Sequence, residues 1–514
     1  MNLADLNLGA ALPGVTLALG AAILLLIDVF LPKDRKDITA VLALAGLVVA
    51  ALLTIPGLSA PRQMAFGGMF IADSFTALVN LVSLATAFIS ILAGYNYLDR
   101  TKMHRGEYYA LLLFSTSGAM FMGASGDLVL LFVALELLSI PLYIMAGFRR
   151  NDTRSEESAM KYFLLGAFAT GFLVYGIALM YGATGTTNLP LIFQRLQAEQ
   201  LSSTFLLLLG AGLLLVGLGF KVAVVPFHMW TPDVYQGSPT PVTAFMSVAA
   251  KVGGFAALLR VLTIAIPTFV FVNLTFEPGT TTVIHAAWQD AVAIIAGLTV
   301  ILGNFVAVQQ KDIKRMLAYS SIAHAGYIMM AVAAAGSFQI AIDAGGNRTV
   351  SLAIAQSALQ GAVIYLLAYA FTNIGAFSVA IAVEKDDATG TLIDDFSGLG
   401  RQKPLLGLAM SVFMFSLIGI PLTGGFTGKW FVFSSVVNGD LILLALIGFL
   451  TSIISAYYYL RVIVKMWFEN GEADATLPRP LLSAVMVCAV GVLILGILPF
   501  FISLAQTVTT VAMQ

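Results

Sequence analysis

Charge and cysteine are what this chain has least of. Only 10% of its 514 residues are charged, against about 25% in an ordinary soluble domain, while 59% are hydrophobic. A chain so poor in charge cannot cover a water-facing surface, and its composition is that of a polytopic helical membrane protein. The single cysteine, Cys488, lies in an apolar run. It excludes an intrachain disulfide and leaves no cysteine cluster for zinc or iron–sulfur. The net charge is −1 and no basic patch is interleaved with aromatics, so no nucleic-acid partner is expected. There is no GxGxxG after a strand, no P-loop, no HExxH and no nucleophile elbow. Those absences remove the common nucleotide, zinc-protease and serine-hydrolase chemistries.

What is abundant is apolar sequence in long runs. Runs of about 17–20 residues mark membrane spans. Fourteen are read here, near 10–31, 38–56, 70–98, 107–123, 126–147, 157–181, 203–226, 240–266, 284–308, 313–336, 350–383, 404–434, 438–467 and 480–512. The odd-numbered connections carry Lys33, Arg35, Lys36, Arg100, Lys102, Arg105, Arg149, Arg150, Arg154, Lys311, Lys314, Arg315, Lys385, Arg401, Lys403, Arg461, Lys465 and Arg479, and the even-numbered ones only Arg62, Arg195, Arg260 and Arg348. The positive-inside rule puts odd connections in the cytoplasm and both termini outside. The first run is followed, not preceded, by basic residues, the reverse of a cleavable signal. A retained helix is expected there.

Against this background four charges stand out. Glu136, Lys221, Lys251 and Lys429 sit inside the runs LVLLFVALELLSIPLYIMAGF, LLLVGLGFKVAVVPF, TAFMSVAAKVGGFAALL and GGFTGKWFVF. A charge near a bilayer centre costs several kcal/mol, so such residues face a partner or a wet cavity and mark ion or proton paths. One acid and three lysines on four separate helices make a string, not the clustered pocket a solute transporter needs. Two of these helices are interrupted: the seventh by Gly217, Gly219 and Pro226 around Lys221, the twelfth by Pro421, Gly424, Gly425 and Gly428 before Lys429. Proline frees backbone groups that only protein or water can satisfy at membrane depth. A glycine precedes the lysine by four residues in both, Gly217 with Lys221 and Gly425 with Lys429. Broken segments in matching places indicate repeats. Helices seven and twelve are an odd number of helices apart, so the repeats must be inverted: helices four to eight and nine to thirteen. One detail disagrees, since Lys221 precedes its proline and Lys429 follows its own. The expected organisation is a three-helix segment 1–106, repeats over 107–266 and 267–467, and a last helix within 468–514.

The stretch FKVAVVPFHMWTPDVYQGSPTPVTAFMSVAAKVGG (220–254) resembles the core signature of the antiporter-like subunits of proton-pumping NADH:quinone oxidoreductase, complex I, and of Mrp-type cation/proton antiporters. ELLSIPLYIMAGF (136–148), SEESAMKYFLLGAFATGFLVYGIALMYGATG (155–185) and GLGRQKPLLGLAMSVFMFSLIGIPLTGGFTGKW (398–430) resemble its N-type members in particular. The resemblance covers roughly 107–467; the first three helices and the last fit in number but carry little motif. M-type members have a glutamate where Lys429 stands, and L-type members are longer, with a lateral helix this chain has no room for. One departure is GIPLTGG, where a second proline is common. The resemblance implies that Glu136 is the acid of helix five, Lys221 and Lys429 the lysines of broken helices seven and twelve, and Lys251 the central lysine of helix eight. It implies a translocase subunit that carries protons across the bacterial cell membrane, driven by quinone reduction elsewhere. This chain is expected to hold no cofactor, with FMN, iron–sulfur clusters and quinone in other subunits. The implied partners are other membrane subunits, M-type and small ones included.

The chemistry of the residues agrees with this. A permanently charged lysine relays no proton; burial disfavours the ammonium and a nearby carboxylate favours it. At an assumed separation of about 7 Å and an effective dielectric near 20, a carboxylate stabilises an ammonium by roughly 2.4 kcal/mol. The Glu136–Lys221 distance is therefore a candidate switch. Each residue also has a plainer reading. On that reading Glu136 serves only as structural partner to a buried lysine, and the lysines snorkel to an interface. Lys161 matches the family pattern, yet it sits about a turn inside helix six, and snorkelling is an equal reading. His324 in SSIAHAGY bridges Lys251 and Lys429 on one reading and is a satisfied core histidine on the other. His228 and Asp233, beside the PFHMWTPD break, are read as structural. The connection 265–284 alternates β-branched and apolar residues about a Pro-Gly turn, which suggests a small outer hairpin touching a neighbouring subunit. Competing functions are an Mrp-type sodium/proton antiporter subunit, a stand-alone solute transporter and a membrane spacer whose charges are relics.

Overall fold

In hydrocarbon every backbone polar group must be satisfied inside its own segment, and helices accordingly carry most of the chain. The computed structural model describes residues 6–32, 35–266, 281–343, 348–498 and 500–512. In chain order the helices are α1 Leu8–Phe30, α2 Asp37–Thr54, α3 Ser74–Arg100, α4 Gly106–Ala124, α5 Leu128–Ala146, α6 Thr153–Thr184, α7 Leu189–Gln197, α8 Thr204–Val222, α9 Trp230–Gly237, α10 Thr240–Arg260, α11 Gln289–Val308, α12 Ile313–Ala334, α13 Ala353–Val383, α14 Leu399–Gln402, α15 Pro404–Ile418, α16 Gly424–Asn438, α17 Ile442–Phe468, α18 Arg479–Ile497 and α19 Phe500–Ala512. Among the described residues twelve helices are long and apolar enough to cross a membrane, and Pro404–Ile418 and Phe500–Thr509 are shorter apolar helices.

Polar residues at the ends of the apolar runs start these helices. The side chains of Asp73, Asp127, Asp152, Ser203 and Asp312 each accept a backbone N–H of the first turn of α3, α5, α6, α8 and α12. Each such cap contributes about 1 kcal/mol. Lipid solvates apolar side chains, so the helices that carry more small and polar residues go to the centre. α10, α12 and α13 are almost wholly buried, whereas α1, α2, α6, α17 and α18 turn most of their surface outward. The small residues of α10 permit the close approach that membrane helices need. At Gly254 a Cβ would lie 2.6 Å from Val222 Cγ1, so glycine there lets the end of α8 reach α10.

Both expected helix breaks are present, and they share a design. α8 ends at Val222, ahead of Pro226, because the left-handed Ala223 (φ 63) closes it. Ala223 N–H donates to Phe220 O at 3.1 Å and Val224 N–H to Gly219 O at 3.0 Å, the Schellman pattern. α15 ends at Ile418 on left-handed Gly419 (φ 92) in the same way, with Gly419 N–H on Ser416 O at 3.1 Å and Ile420 N–H on Phe415 O at 3.0 Å. Pro421 lies in the gap before α16. Gly425 is required, since a Cβ there would collide with Ser416 O.

The break in helix seven falls at Ala223, three residues before Pro226, because the Schellman turn has already spent the helix when the proline is reached. Two expectations need correction. The last apolar run is two helices, α18 and α19, not one. The chain is also not purely helical: β1 Gln63–Ala65 pairs antiparallel with β2 Phe70–Ala72, and β3 Thr281–His285, β4 Ser337–Ile342 and β5 Arg348–Ser351 form an antiparallel sheet in that order. Of the hairpin expected over 265–284, residues 267–280 lie outside the described residues; β3 pairs with β4, with Val283 opposite Gln339.

Candidate functional site

A Schellman turn here uses the fourth- and third-last carbonyls of its helix and leaves the final two without backbone partners. Buried lysines fill those vacancies. Lys251 Nζ, from the middle of α10, donates to Val222 O at 3.0 Å. Lys429 Nζ, in the second turn of α16, donates to Leu417 O at 3.0 Å, Ile418 O at 2.8 Å and Ser452 Oγ of α17 at 2.8 Å. A cation at a helix C-terminus also meets the negative end of its dipole. Exposures of 3% for Lys221, 1% for Lys251 and 5% for Lys429 leave no route for snorkelling.

Lys221 occupies the last turn of α8, one residue before the carbonyl that Lys251 holds. Its Nζ donates to Ser139 Oγ of α5 at 2.8 Å and to Tyr162 OH of α6 at 3.4 Å. Glu136 stands one turn before Ser139 and is half-buried, and its Oε1 accepts from Thr170 Oγ1 at 2.7 Å. Among the described residues no direct ion pair joins Glu136 to Lys221; Ser139 lies between them. Ser139, Tyr143, Thr170, Gly217 and Lys221 line a cavity that offers a water centre about 10 Å³, room for roughly one water.

His324, on α12, shares its two ring nitrogens between hydroxyls: Nδ1 pairs with Tyr365 OH at 2.7 Å and Nε2 with Tyr459 OH at 3.0 Å. Its ring lies 5.8 Å from that of Tyr327, and Lys429 Nζ sits 4.8 Å over the same Tyr327 ring. Tyr459 OH in turn bonds Ser320 Oγ. The structure thus joins Lys221 to Lys251 through the end of α8, and His324 to Lys429 around Tyr327. No direct hydrogen bond links Lys251 to His324 among the described residues.

Lys161 lies elsewhere, in a surface ion cluster. Its Nζ is 2.6 Å from Asp233 Oδ2 and 2.7 Å from Glu157 Oε1, and Arg315 NH1 is 2.7 Å from Asp233 Oδ1. Burial alone would raise the Asp233 carboxyl, but the hydrogen bonds from Lys161 and Arg315 outweigh it and hold it below its usual range. The Lys161 side chain is 39% exposed.

Composition and motif do not distinguish Ser139, Tyr162, Thr170, Tyr327, Tyr365, Tyr459 or Ser452 from the other hydroxyls of the chain. One had a legible signal: Ser139 is at i+3 from Glu136, hence on the same face of α5. Hydroxyls both donate and accept, whereas an ammonium only donates. The arrangement is therefore a set of buried amines and an imidazole whose neighbours can pass or accept a proton.

The chain as a whole is similar to known proteins. The family described as NADH:quinone oxidoreductase/Mrp antiporter matches residues 125–344 and 346–455. The NADH-quinone oxidoreductase subunit N of Trichlorobacter lovleyi is 43% identical over 500 residues, covering 97% of this chain and 96% of that protein. A chain of respiratory complex I from Thermus thermophilus with bound aureothin is 35% identical, with a TM-score of 0.76 over 95% of this chain and 97% of that one. A chain of the Mrp complex from a Dietzia species has a TM-score of 0.82 at 19% identity, covering 98% of each chain, a likeness of fold alone.

Proposed function

The chain belongs to the subunit N family of NADH:quinone oxidoreductase, and from that premise we propose that Glu136, Lys221, Lys251, His324 and Lys429 are its proton relay. It is a multi-pass membrane protein and a proton-translocating subunit of complex I. The observation that carries the proposal is the seating of two buried lysines on the open carbonyls of two matching helix breaks. An ammonium satisfies those carbonyls; a neutral amine satisfies them less well. Each proton that arrives or leaves therefore changes how tightly the half-helix is held, and this couples charge to backbone. Glu136 sets the charge of Lys221, with Ser139 between them. The electrons travel elsewhere, through flavin, iron–sulfur clusters and quinone in other subunits.

The finer architecture follows the same reading. Counting α4 as one further crossing and α15 with α16 as another brings the twelve spans to fourteen. The shared Schellman breaks support inverted repeats over 107–266 and 267–467, flanked by 1–106 and 468–514. Basic connections lie in the cytoplasm and both termini outside. Glu136 shares α5 with the exposed side chains of Val133 and Ile140. A carboxylate half open to hydrocarbon is costly, which favours a neighbouring membrane subunit, such as the M-type one, against that face. An Mrp-type antiporter subunit is the second reading, favoured only by fold; co-purification with redox subunits separates the two. Lys251→Met keeps bulk and removes the charge. In an assembled complex it is expected to abolish proton pumping coupled to NADH oxidation, and undiminished pumping would reduce Lys251 to a packing residue.

A further inference from the structure

On the side of the molecule that holds the odd-numbered connections, several of them converge on one buried carboxylate outside the relay. Glu384 follows the last residue of α13 and is 2% exposed. Its Oε1 accepts from Tyr97 OH of α3 at 2.8 Å and lies 3.7 Å from Arg149 NH2. Its Oε2 accepts a short bond from Thr240 Oγ1, the first residue of α10. Arg100 NH2 donates to the Glu384 carbonyl at 2.6 Å, and the buried Lys314 Nζ to Ser238 O at 2.7 Å. Glu384, Lys314, Asp152 and Ser238 line a cavity that offers water centres about 20 Å³, enough for at least one water. The Ser238 hydroxyl is 1% exposed and has no partner among the described residues; orphans of this kind are ordinarily met by ordered water.

A second orphan lies on the way to the relay. Thr240 begins the helix that carries Lys251, about 16 Å away at 1.5 Å per residue. Between them, one turn before Lys251, Ser247 Oγ accepts from Asn373 Nδ2 at 2.6 Å. Asn373 Oδ1 is buried without a partner. Two unsatisfied polar atoms, Ser238 Oγ and Asn373 Oδ1, thus flank the same stretch of α10, one at its start and one near Lys251.

We propose that Glu384 is the group through which protons enter this subunit from the cytoplasm. It rests on the relay reading above. The Glu384 carboxylate takes a proton that comes from the cytoplasm and is handed on by water in its cavity, which regains one from bulk; the carboxylic acid results. The acid returns that proton through the Thr240 hydroxyl and waters beside Asn373 and Ser247 to the neutral Lys251 amine, and carboxylate and ammonium result. Arg149 lies beside the carboxylate, Arg100 holds the Glu384 backbone, and Tyr97 fixes the carboxylate's orientation.

The test uses complex I in sealed inverted membrane vesicles, with Glu384→Gln, Glu384→Asp and Lys251→Met compared. Glu384→Gln is expected to lower coupled proton pumping roughly tenfold or more, and Glu384→Asp, which keeps the acid, to restore part of it. A purely structural carboxylate predicts that Gln, the closer isostere, is the milder change. Normal pumping by Glu384→Gln with loss in Lys251→Met overturns the uptake role alone; normal pumping by both overturns the relay itself. If Glu384→Gln fails to assemble, Thr240→Val and Ala388→Cys decide. Thr240→Val removes the hydroxyl and keeps the shape, and wild-type pumping would refute the route. Ala388 also lines the cavity, and this chain's single cysteine, Cys488, is buried, so labelling of this subunit and slowing beyond that of the equally treated wild-type complex report the new thiol. A hydrophilic thiol reagent on the cytoplasmic side is expected to label Ala388→Cys and slow pumping; labelling without slowing refutes the proposal.

Discussion

Lys251 and Val222 are 29 residues apart in sequence and joined by a 3.0 Å hydrogen bond from ammonium to carbonyl. That bond ties the central lysine of α10 to the broken end of α8, next to Lys221. Lys429 makes the corresponding contact with the broken end of α15. The disagreement in motif order is thereby explained: Lys221 belongs to the half-helix before its break, Lys429 to the one after.

Arginine keeps the donors and the charge at these positions but does not release its proton in proteins. Lys429→Arg is therefore expected to assemble and to pump poorly, while Lys429→Gln loses both the cap and the relay. Proton pumping normalised to assembled complex is the measurement. Wild-type pumping by the arginine variant would make Lys429 a helix cap and nothing more.

At Glu136, charge and shape are separable. Glu136→Gln retains an oxygen for Thr170 and loses only the carboxylate, so coupled turnover is expected to fall sharply. Glu136→Asp keeps the charge and retracts it by about one methylene, and should keep partial activity. Ser139→Ala removes the Lys221 acceptor, a charged hydrogen bond of about 1.5–3 kcal/mol, and should resemble the Gln variant more than the Asp one. A damaged Asp variant beside a fully active Gln variant would sink the electrostatic account.

Arg260 and Asp73 form a bidentate pair, with NH1 on Oδ2 at 2.7 Å and NH2 on Oδ1 at 2.5 Å, exposed by only 2% and 0% at their side chains. Arg260→Met strands the carboxylate and is expected to cost about 3–5 kcal/mol, read as a lower melting temperature of the solubilised complex; replacing Asp73 with Leu as well should recover part of it. Burial alone would raise the Asp73 carboxyl, but the Arg260 charge and the hydrogen bonds from Arg260 and Thr76 hold it below its usual value. A depressed carboxyl contributes stability that is present above its unfolded value, about pH 3.9, and lost as pH falls through its folded value. The stability gap between wild type and Asp73→Asn should therefore close under acid and persist at neutral pH.

Lys161→Met probes the surface cluster with Glu157 and Asp233. Exposed ion pairs contribute about 0–1 kcal/mol, so assembly and pumping should stay near wild type. A loss as deep as that of Lys251→Met would restore Lys161 to the relay.

The sequence by itself determined the membrane character, the positions of the helices and the four misplaced charges. It could do so because hydropathy and the cost of a buried charge act locally along the chain. It also placed the breaks within a few residues, since glycine and proline act on their own backbone. Tertiary structure alone decided what each charge touches. Ser139, Tyr327, Tyr365 and Tyr459 come from helices far apart in sequence, and hydroxyls are too common in membrane helices to stand out. The helix end at Ala223 was hidden because an alanine in the left-handed region has no composition signal. Glu384 was hidden because it reads as a connection residue at the end of an apolar run, and only the packing of α3, α10 and α13 buries it.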